Sequence, residues 1–485
     1  MRQPILASIL SISLLLQVGS VRADLPDLGD VSDVSMSQAD EARIGRDAMR
    51  AMRQEGSVSD DVELTRYINM LGGRLAAGVQ VSGLKFNFFI VNDPGINAFA
   101  MPGGYVGVNK GLVLATQSEG ELASVLGHEM AHVTQRHMAR MQATSAPNQL
   151  LLLATVVAAA LASRAHNSDV VFGTLNAGVG LTVANQLSYS RDFEREADRI
   201  GMQYLAAGGF DVRDMPEFFQ RLQQSERSNG GDAYAFLRTH PVTAERISEA
   251  QDRADNAPVR MRASSIDYYL VREKIRAQQM ESADAVHYYQ NMLARKLYLN
   301  LGAQWYGLSR ARMAGRDFNG ARLALSEARR ILPPNAMLFE LDAEIAEKAQ
   351  DTERALAAYR AGLAQYPDDR ALINGEIGLL IQSGARAQAL RQIRKQQTRT
   401  PNDPVMFRFE SSLYAENNPL RYHAALGNAL YFEQQYDAAA EQYHLASQAP
   451  GDDFYLRSAI EARSRELEKL LADEKRDGVK RKPGQ

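Results

Sequence analysis

Residues 121–141 read ELASVLGHEMAHVTQRHMARM and contain His128-Glu129-Met130-Ala131-His132, an H-E-x-x-H pattern. The apolar residues Leu122, Val125, Leu126, Met130 and Val133 recur at helical spacing, and no proline or glycine-rich break interrupts the run, so one continuous helix is expected over 121–141. Residues four apart stand one above the other on a helix face. His128 and His132 can therefore offer ring nitrogens to one metal ion, with Glu129 beside them as a base for a water at the metal. Only eight histidines occur in 485 residues, and three of them (His128, His132 and His137) fall within ten positions. Unpaired polar groups are costly to bury, so a buried helix carrying these side chains needs a reason for them.

Working outward, a metal held by two histidines takes a third protein ligand and keeps one position for water. A second helix over 188–205, SYSRDFEREADRIGMQYL, supplies carboxylates. Glu194 and Asp198 are four apart and share a face, whereas Glu196 points elsewhere. On chemistry alone Glu194 and Asp198 are rivals for the ligand role, the other accepting the N–H of a ligand imidazole. Thr239-His240-Pro241 precedes a helix over 242–250 that Thr239 or Thr243 can cap.

Upstream, helices are expected over 41–54 and 59–79, and a strand over 86–91 (FNFFIV) closes on the turn signal Asn92-Asp93-Pro94-Gly95. Residues 96–114 read as two strands joined by Pro102-Gly103-Gly104. An edge of such a small sheet can take extended substrate by strand addition. Residues 150–162, LLLLATVVAAALA, are too short to span a bilayer unaided. A buried or cleft-covering helix is expected there, with peripheral membrane contact as the lesser alternative. A lid is expected over 143–180, and a further helix over 210–224.

From about residue 265 the chain becomes rich in Ala, Leu, Tyr and Gln, with no strand signal. Ala321, Ala355 and Ala389 are spaced by 34, each followed twelve residues later by Pro333, Pro367 and Pro401, and Ala438 with Pro450 makes a fourth, displaced copy. A 34-residue two-helix unit matches the tetratricopeptide repeat, whose stacked units leave a concave groove for another protein.

The expected fold is α+β: a mostly helical zincin-type metalloprotease domain with a small sheet, followed by an all-α tetratricopeptide-repeat solenoid. Residues 1–23 read as a signal peptide, with Arg2, an apolar core over 5–16, and Val21-Arg22-Ala23 before the cleavage point. The protease domain is then 24–262, the repeats 263–472, and 473–485 a disordered tail. A net charge of −3 gives no basic surplus for nucleic acid, and the lack of cysteine removes disulfides, thiol catalysis and cysteine-ligated metal together. Export without disulfides points to a bacterial envelope enzyme.

Asn97-Ala98-Phe99-Ala100, residues 128–137 (HEMAHVTQRH), Glu194-Arg195-Glu196-Ala197-Asp198 and Thr239-His240-Pro241 together resemble the gluzincin peptidases related to HtpX and to CAAX prenyl protease. The signal peptide and the repeats narrow the likeness to periplasmic members of that group. The resemblance implies one Zn²⁺ per chain held by His128, His132 and Glu194, Asp198 in support, and Glu129 as general base. It implies that His240 can fill the open zinc position as a latency plug, or else stabilise the oxyanion, and that Arg246 does the latter or pairs with the wall of the site. It also implies a Gram-negative periplasm. The partners implied are the outer-membrane β-barrel assembly machinery and stalled outer-membrane proteins, including the lipopolysaccharide-transport porin. The competing reading is a non-catalytic scaffold that docks through its repeats.

Overall fold

The computed structural model describes residues 36–79, 83–144, 190–228 and 235–479. The expected signal peptide, the 150–162 segment and nearly all of the expected lid lie outside the described residues. The first elements are α1 (Gln38–Gln54), α2 (Val62–Ala76), β1 (Asn87–Val91), β2 (Ala98–Met101), β3 (Tyr105–Asn109) and α3 (Lys110–Ala115). The strands form one sheet in the order β1-β3-β2, with β1 parallel and β2 antiparallel to β3. The two strands expected around Pro102-Gly103-Gly104 are thus a hairpin with β2 at the edge, but the second ends at Asn109, and residues 110–114, expected as strand, belong to α3. Helix α1 covers one face of the sheet through Met49 and Met52 against Phe89, Val91 and Phe99.

Helix α4 (Glu119–Thr134) starts at Ser118, whose hydroxyl accepts the amide of Glu121, and every residue from Glu119 to His132 is buried. It does not continue to residue 141. Arg136 adopts φ +52°, a left-handed conformation, and α5 (His137–Thr144) then leaves in a new direction. The expectation of one unbroken helix fails here because the break needs neither proline nor glycine. Arg136 is held instead by its Nη2, which donates to the Met36 carbonyl at 2.5 Å, and by Glu41 at 3.3 Å from its Nε.

Helix α6 (Arg191–Ala207), capped by Ser190, lies against α4. Their main chains meet at two glycines: a Cβ built on Gly127 would stand 2.9 Å from the Gly201 carbonyl oxygen, and one on Gly201 would stand 2.9 Å from the His128 nitrogen. Then follow α7 (Asp214–Ser228), α8 (Ala235–Thr239) and α9 (Ala244–Asp255), the last capped by the Thr243 hydroxyl.

The remaining chain is helical. Helices α10 (Ile266–Gln278), α11 (Ser282–Arg295), α12 (Leu301–Ala314), α13 (Phe318–Ile331), α14 (Ala336–Lys348), α15 (Thr352–Gln365), α16 (Arg370–Gln382), α17 (Arg386–Arg399), α18 (Pro404–Tyr414), α19 (Pro419–Phe432), α20 (Tyr436–Gln448) and α21 (Phe454–Val479) build a repeat region. The molecule is a mixed α/β region with a small sheet followed by an extended helical repeat. Ala321, Ala355 and Ala389, each the fourth residue of its helix, are fully buried, as the 34-residue period requires. The fourth buried alanine is Ala439 rather than Ala438, because α20 begins at Tyr436. Helix α21 runs on to Val479, into the expected tail. Among the described residues no helix is long and apolar enough to cross a membrane.

The Gly127–Gly201 contact sets the spacing of α4 and α6. Gly201→Ala should force them apart, lowering stability by about 1–3 kcal/mol as overpacking does. Thermal unfolding beside bound-metal analysis should show both a lower midpoint and a lower metal content.

Candidate metal centre

Helix α4 places His128 and His132 one turn apart, with their Nε2 atoms 3.1 Å from each other. From the first turn of α6, Glu194 Oε1 comes to 3.4 Å from His132 Nε2, and Oε2 to 3.5 Å from His128 Nε2. His240 follows α8, its amide donating to the Phe236 carbonyl at 2.8 Å. Its Nδ1 lies 3.3 Å from His128 Nε2 and 3.0 Å from Glu194 Oε1. These four buried side chains offer ligand atoms that all lie within 4.8 Å of one another. Atoms bonded tetrahedrally to one zinc at about 2.0–2.1 Å stand roughly 3.3 Å apart, the separation found here.

Glu129 is fully buried beside this cluster, and neither carboxylate oxygen has a hydrogen bond of good geometry. Its nearest polar neighbours are His240 Nε2, 3.4 Å from Oε1, and the main chain at Ala100 on edge strand β2. Burial drives its carboxyl above the usual range. A cavity of about 350 Å³ opens alongside, lined in part by Ala100, Met101, His132, Val133 and Met138.

Arg246, on α9, grips Asp198 with two hydrogen bonds, Nε to Oδ2 at 2.7 Å and Nη2 to Oδ1 at 2.8 Å. Its Nη1 donates to the Pro241 carbonyl at 2.8 Å and stands 2.7 Å from Glu194 Oε2. Asp198 Oδ1 in turn lies 2.9 Å from His128 Nδ1, off the axis of the ring N–H. Of the two carboxylates, Glu194 faces the cluster and Asp198 stands behind it.

The electrostatics follow from this crowding. Burial opposes charging His128, but hydrogen bonding and charge from Asp198 and Glu194 outweigh it and raise its pKa to about 9. Burial alone would push Glu194 up, and the neighbouring His240 and Arg246 hold it well below the usual carboxylate range. For His132 burial prevails and the pKa falls. Glu129, Glu194 and Asp198 crowd about one guanidinium and the histidine nitrogens, a set of donors that a divalent cation suits. The unpartnered Glu129 oxygens fit a water beside it, and nitrogen and oxygen donors without thiolate are within zinc's repertoire.

Two residues escaped the sequence reading. His137 is fully buried, with Nδ1 2.9 Å from His132 Nδ1 and Nε2 3.1 Å from Glu196 Oε2. Glu196 points away from the cluster as expected, but onto His137 and Arg140 Nη1, which is 2.8 Å distant. The clustering of three histidines in ten positions was the available signal.

A family model described as "Peptidase family M48" matches residues 63–254, which enclose all of these side chains. The beta-barrel assembly-enhancing proteases of Yersinia pestis and Escherichia coli are each 32% identical to this chain, over 391 and 355 residues. The first alignment covers 78% of each chain, the second 71% of this chain and 72% of the relative. The chain belongs to peptidase family M48. A putative beta-barrel assembly-enhancing protease of Vibrio cholerae is 38% identical over 255 residues, a match that spans 52% of either chain. The M48 assignment and the buried donor set make the protein a metalloendopeptidase.

Arg246 balances two buried carboxylates at once. Arg246→Met should cost about 3–5 kcal/mol, the loss expected when a buried ion pair is left half-made. Urea unfolding of chelator-treated protein measures this without any contribution from bound metal.

Proposed function

We propose that this chain is a zinc-dependent endopeptidase of the Gram-negative periplasm that acts in outer-membrane protein quality control, degrading misassembled β-barrel proteins and assisting their assembly. The observation that carries the catalytic part is the convergence of His128, His132, Glu194 and His240 within 4.8 Å beside the buried, unpartnered carboxylate of Glu129. The names of the Yersinia and Escherichia relatives support the β-barrel part. The signal-like residues 1–23 support export. In this reading 24–262 is the protease unit and 263–472 a tetratricopeptide-repeat unit. The repeats would engage the outer-membrane assembly machinery and stalled clients, the lipopolysaccharide-transport porin among them.

His128, His132 and Glu194 would hold the ion. Zinc bound there supplies Lewis-acid polarisation of the scissile carbonyl and lowers the pKa of the attacking water. Substrate adds to β2 as an extended strand beside the cavity, which sets its backbone against Glu129. Glu129 removes the proton from the water and returns it to the leaving amine. His240 stands where a fourth ligand would stand and touches Glu129, so its loop closes the site to water until a client displaces it.

Glu129→Gln should retain zinc and lose casein cleavage by about 10²–10⁴-fold, the share typical of general-base catalysis. Retained turnover would overturn the general-base assignment. His240→Ala in residues 24–485 should convert a quiet, zinc-loaded protein into an active one. A dead, zinc-loaded variant beside an active wild type would instead place His240 in the catalytic machinery.

A further inference from the structure

His137 lies five residues past His132, a spacing that an unbroken helix sets about 140° round its axis. The left-handed turn at Arg136 removes that obstacle and swings His137 back until the two Nδ1 atoms are 2.9 Å apart. The unfavourable conformation is sustained from outside the helix, by the Met36 carbonyl and Glu41 on the Arg136 guanidinium. Once there, the His137 ring stacks on Phe193 of α6, with centroids 4.6 Å apart and planes inclined by 13°. Arg140 covers the other end of this arrangement, 4.8 Å above the Phe193 ring and paired with Glu196.

We propose that His137 and Glu196 form a positioning pair for the metal ligand His132, the counterpart on α5 of what Asp198 and Arg246 do for His128. The inference rests on the reading of the cluster as a metal centre.

The donor and acceptor roles can be assigned around the chain of contacts. Glu196, paired with Arg140 at 2.8 Å, is a carboxylate and only accepts. His137 Nε2–H therefore donates to it at 3.1 Å, which leaves His137 Nδ1 as an acceptor. His132 Nδ1–H donates to that nitrogen, so the His132 Nε2 lone pair is the one turned toward His128, Glu194 and His240. The tautomer and the ring orientation of His132 are both set by this path. Outer partners of ligand histidines commonly control metal affinity by roughly 10–100-fold. A ligand backed by an imidazole rather than by a carboxylate is the less basic of the two, so the two helix histidines are unequal donors.

The test uses the full mature-length chain, residues 24–485, with zinc affinity read by competition against a chromophoric chelator. His137→Phe keeps the aromatic stack and removes the acceptor. It should weaken zinc binding roughly 10–100-fold and shift the visible spectrum of the cobalt-substituted protein. His137→Asn, whose side-chain oxygen can stand near the place of Nδ1, should recover most of both. Glu196→Leu leaves His137 in place and removes its acceptor, so it should weaken zinc binding several-fold even if His137→Phe does not fold. Melting of the chelator-treated variants separates loss of positioning from loss of stability, a variant that still melts cooperatively as a folded protein being the one whose zinc affinity is read. Unchanged affinity and cobalt spectrum in both His137→Phe and Glu196→Leu, with the wild type binding one equivalent that His128→Ala abolishes, would make His137 a packed core residue and overturn the proposal alone. A wild type that binds no zinc would overturn the metal centre and this proposal together.

Discussion

Donors from two helices can share one ion only if the helix backbones come unusually close, and the Gly127–Gly201 contact is where this happens. With main-chain atoms in touch at that point, His128 projects from α4 immediately after the crossing. Asp198 and Glu194 project from α6 one and two turns before it. Glu194, Asp198, Gly201 and Leu205 follow one ridge of α6, and the three with side chains are each at most 1% exposed. That ridge packs on α4 as any helix packs, by burial of one face. Its first two members happen to be carboxylates, and the crossing point turns an ordinary interface into a ligand set.

Closeness of this kind concentrates charge. Burying carboxylates is unfavourable unless each is paired, and the site meets that need in layers. Arg246 answers Asp198 and Glu194 from α9, and Asp198 answers His128. On the other side Arg140 answers Glu196, and Glu196 answers His137. Glu129 has no such cationic partner, its nearest polar neighbours being His240 Nε2 at 3.4 Å and the main chain at Ala100.

What the sequence disclosed about this arrangement was whatever lies within one turn or one repeat. The spacing of His128 and His132, the hairpin turn at Pro102-Gly103-Gly104 and the alanine period of the repeats are local patterns with local physical causes. The break at Arg136 was invisible because its cause is a carbonyl 100 residues earlier, at Met36, and arginine has no preference for a left-handed backbone. The parallel pairing of β1 with β3, which leaves β2 at the edge, is likewise set by packing on α1 and α2 rather than by strand sequence. Glu196 could be excluded as a ligand by its position on the helix. Its attachment to His137 depended on the direction of α5. His240 was found only through the family resemblance, being 112 residues from His128 with no spacing rule to connect them.

The repeat region is joined to this site by buried charge rather than by a flexible linker. Lys274 on α10 reaches Glu63 at 2.7 Å and Asp61 at 2.8 Å, at the start of α2, and Glu340 of α14 at 3.9 Å. Arg66 of α2 adds Asp267 at 3.0 Å and Asp369, the cap of α16, at 3.7 Å. Helix α2 itself packs on α4, and a single apolar cluster runs from Leu64 and Leu126 through Tyr306 to Ile345. A hinge at this junction would strip Lys274 of its partners inside the core, at a cost of about 3–5 kcal/mol. The first repeats and the metal helix therefore behave as one rigid piece.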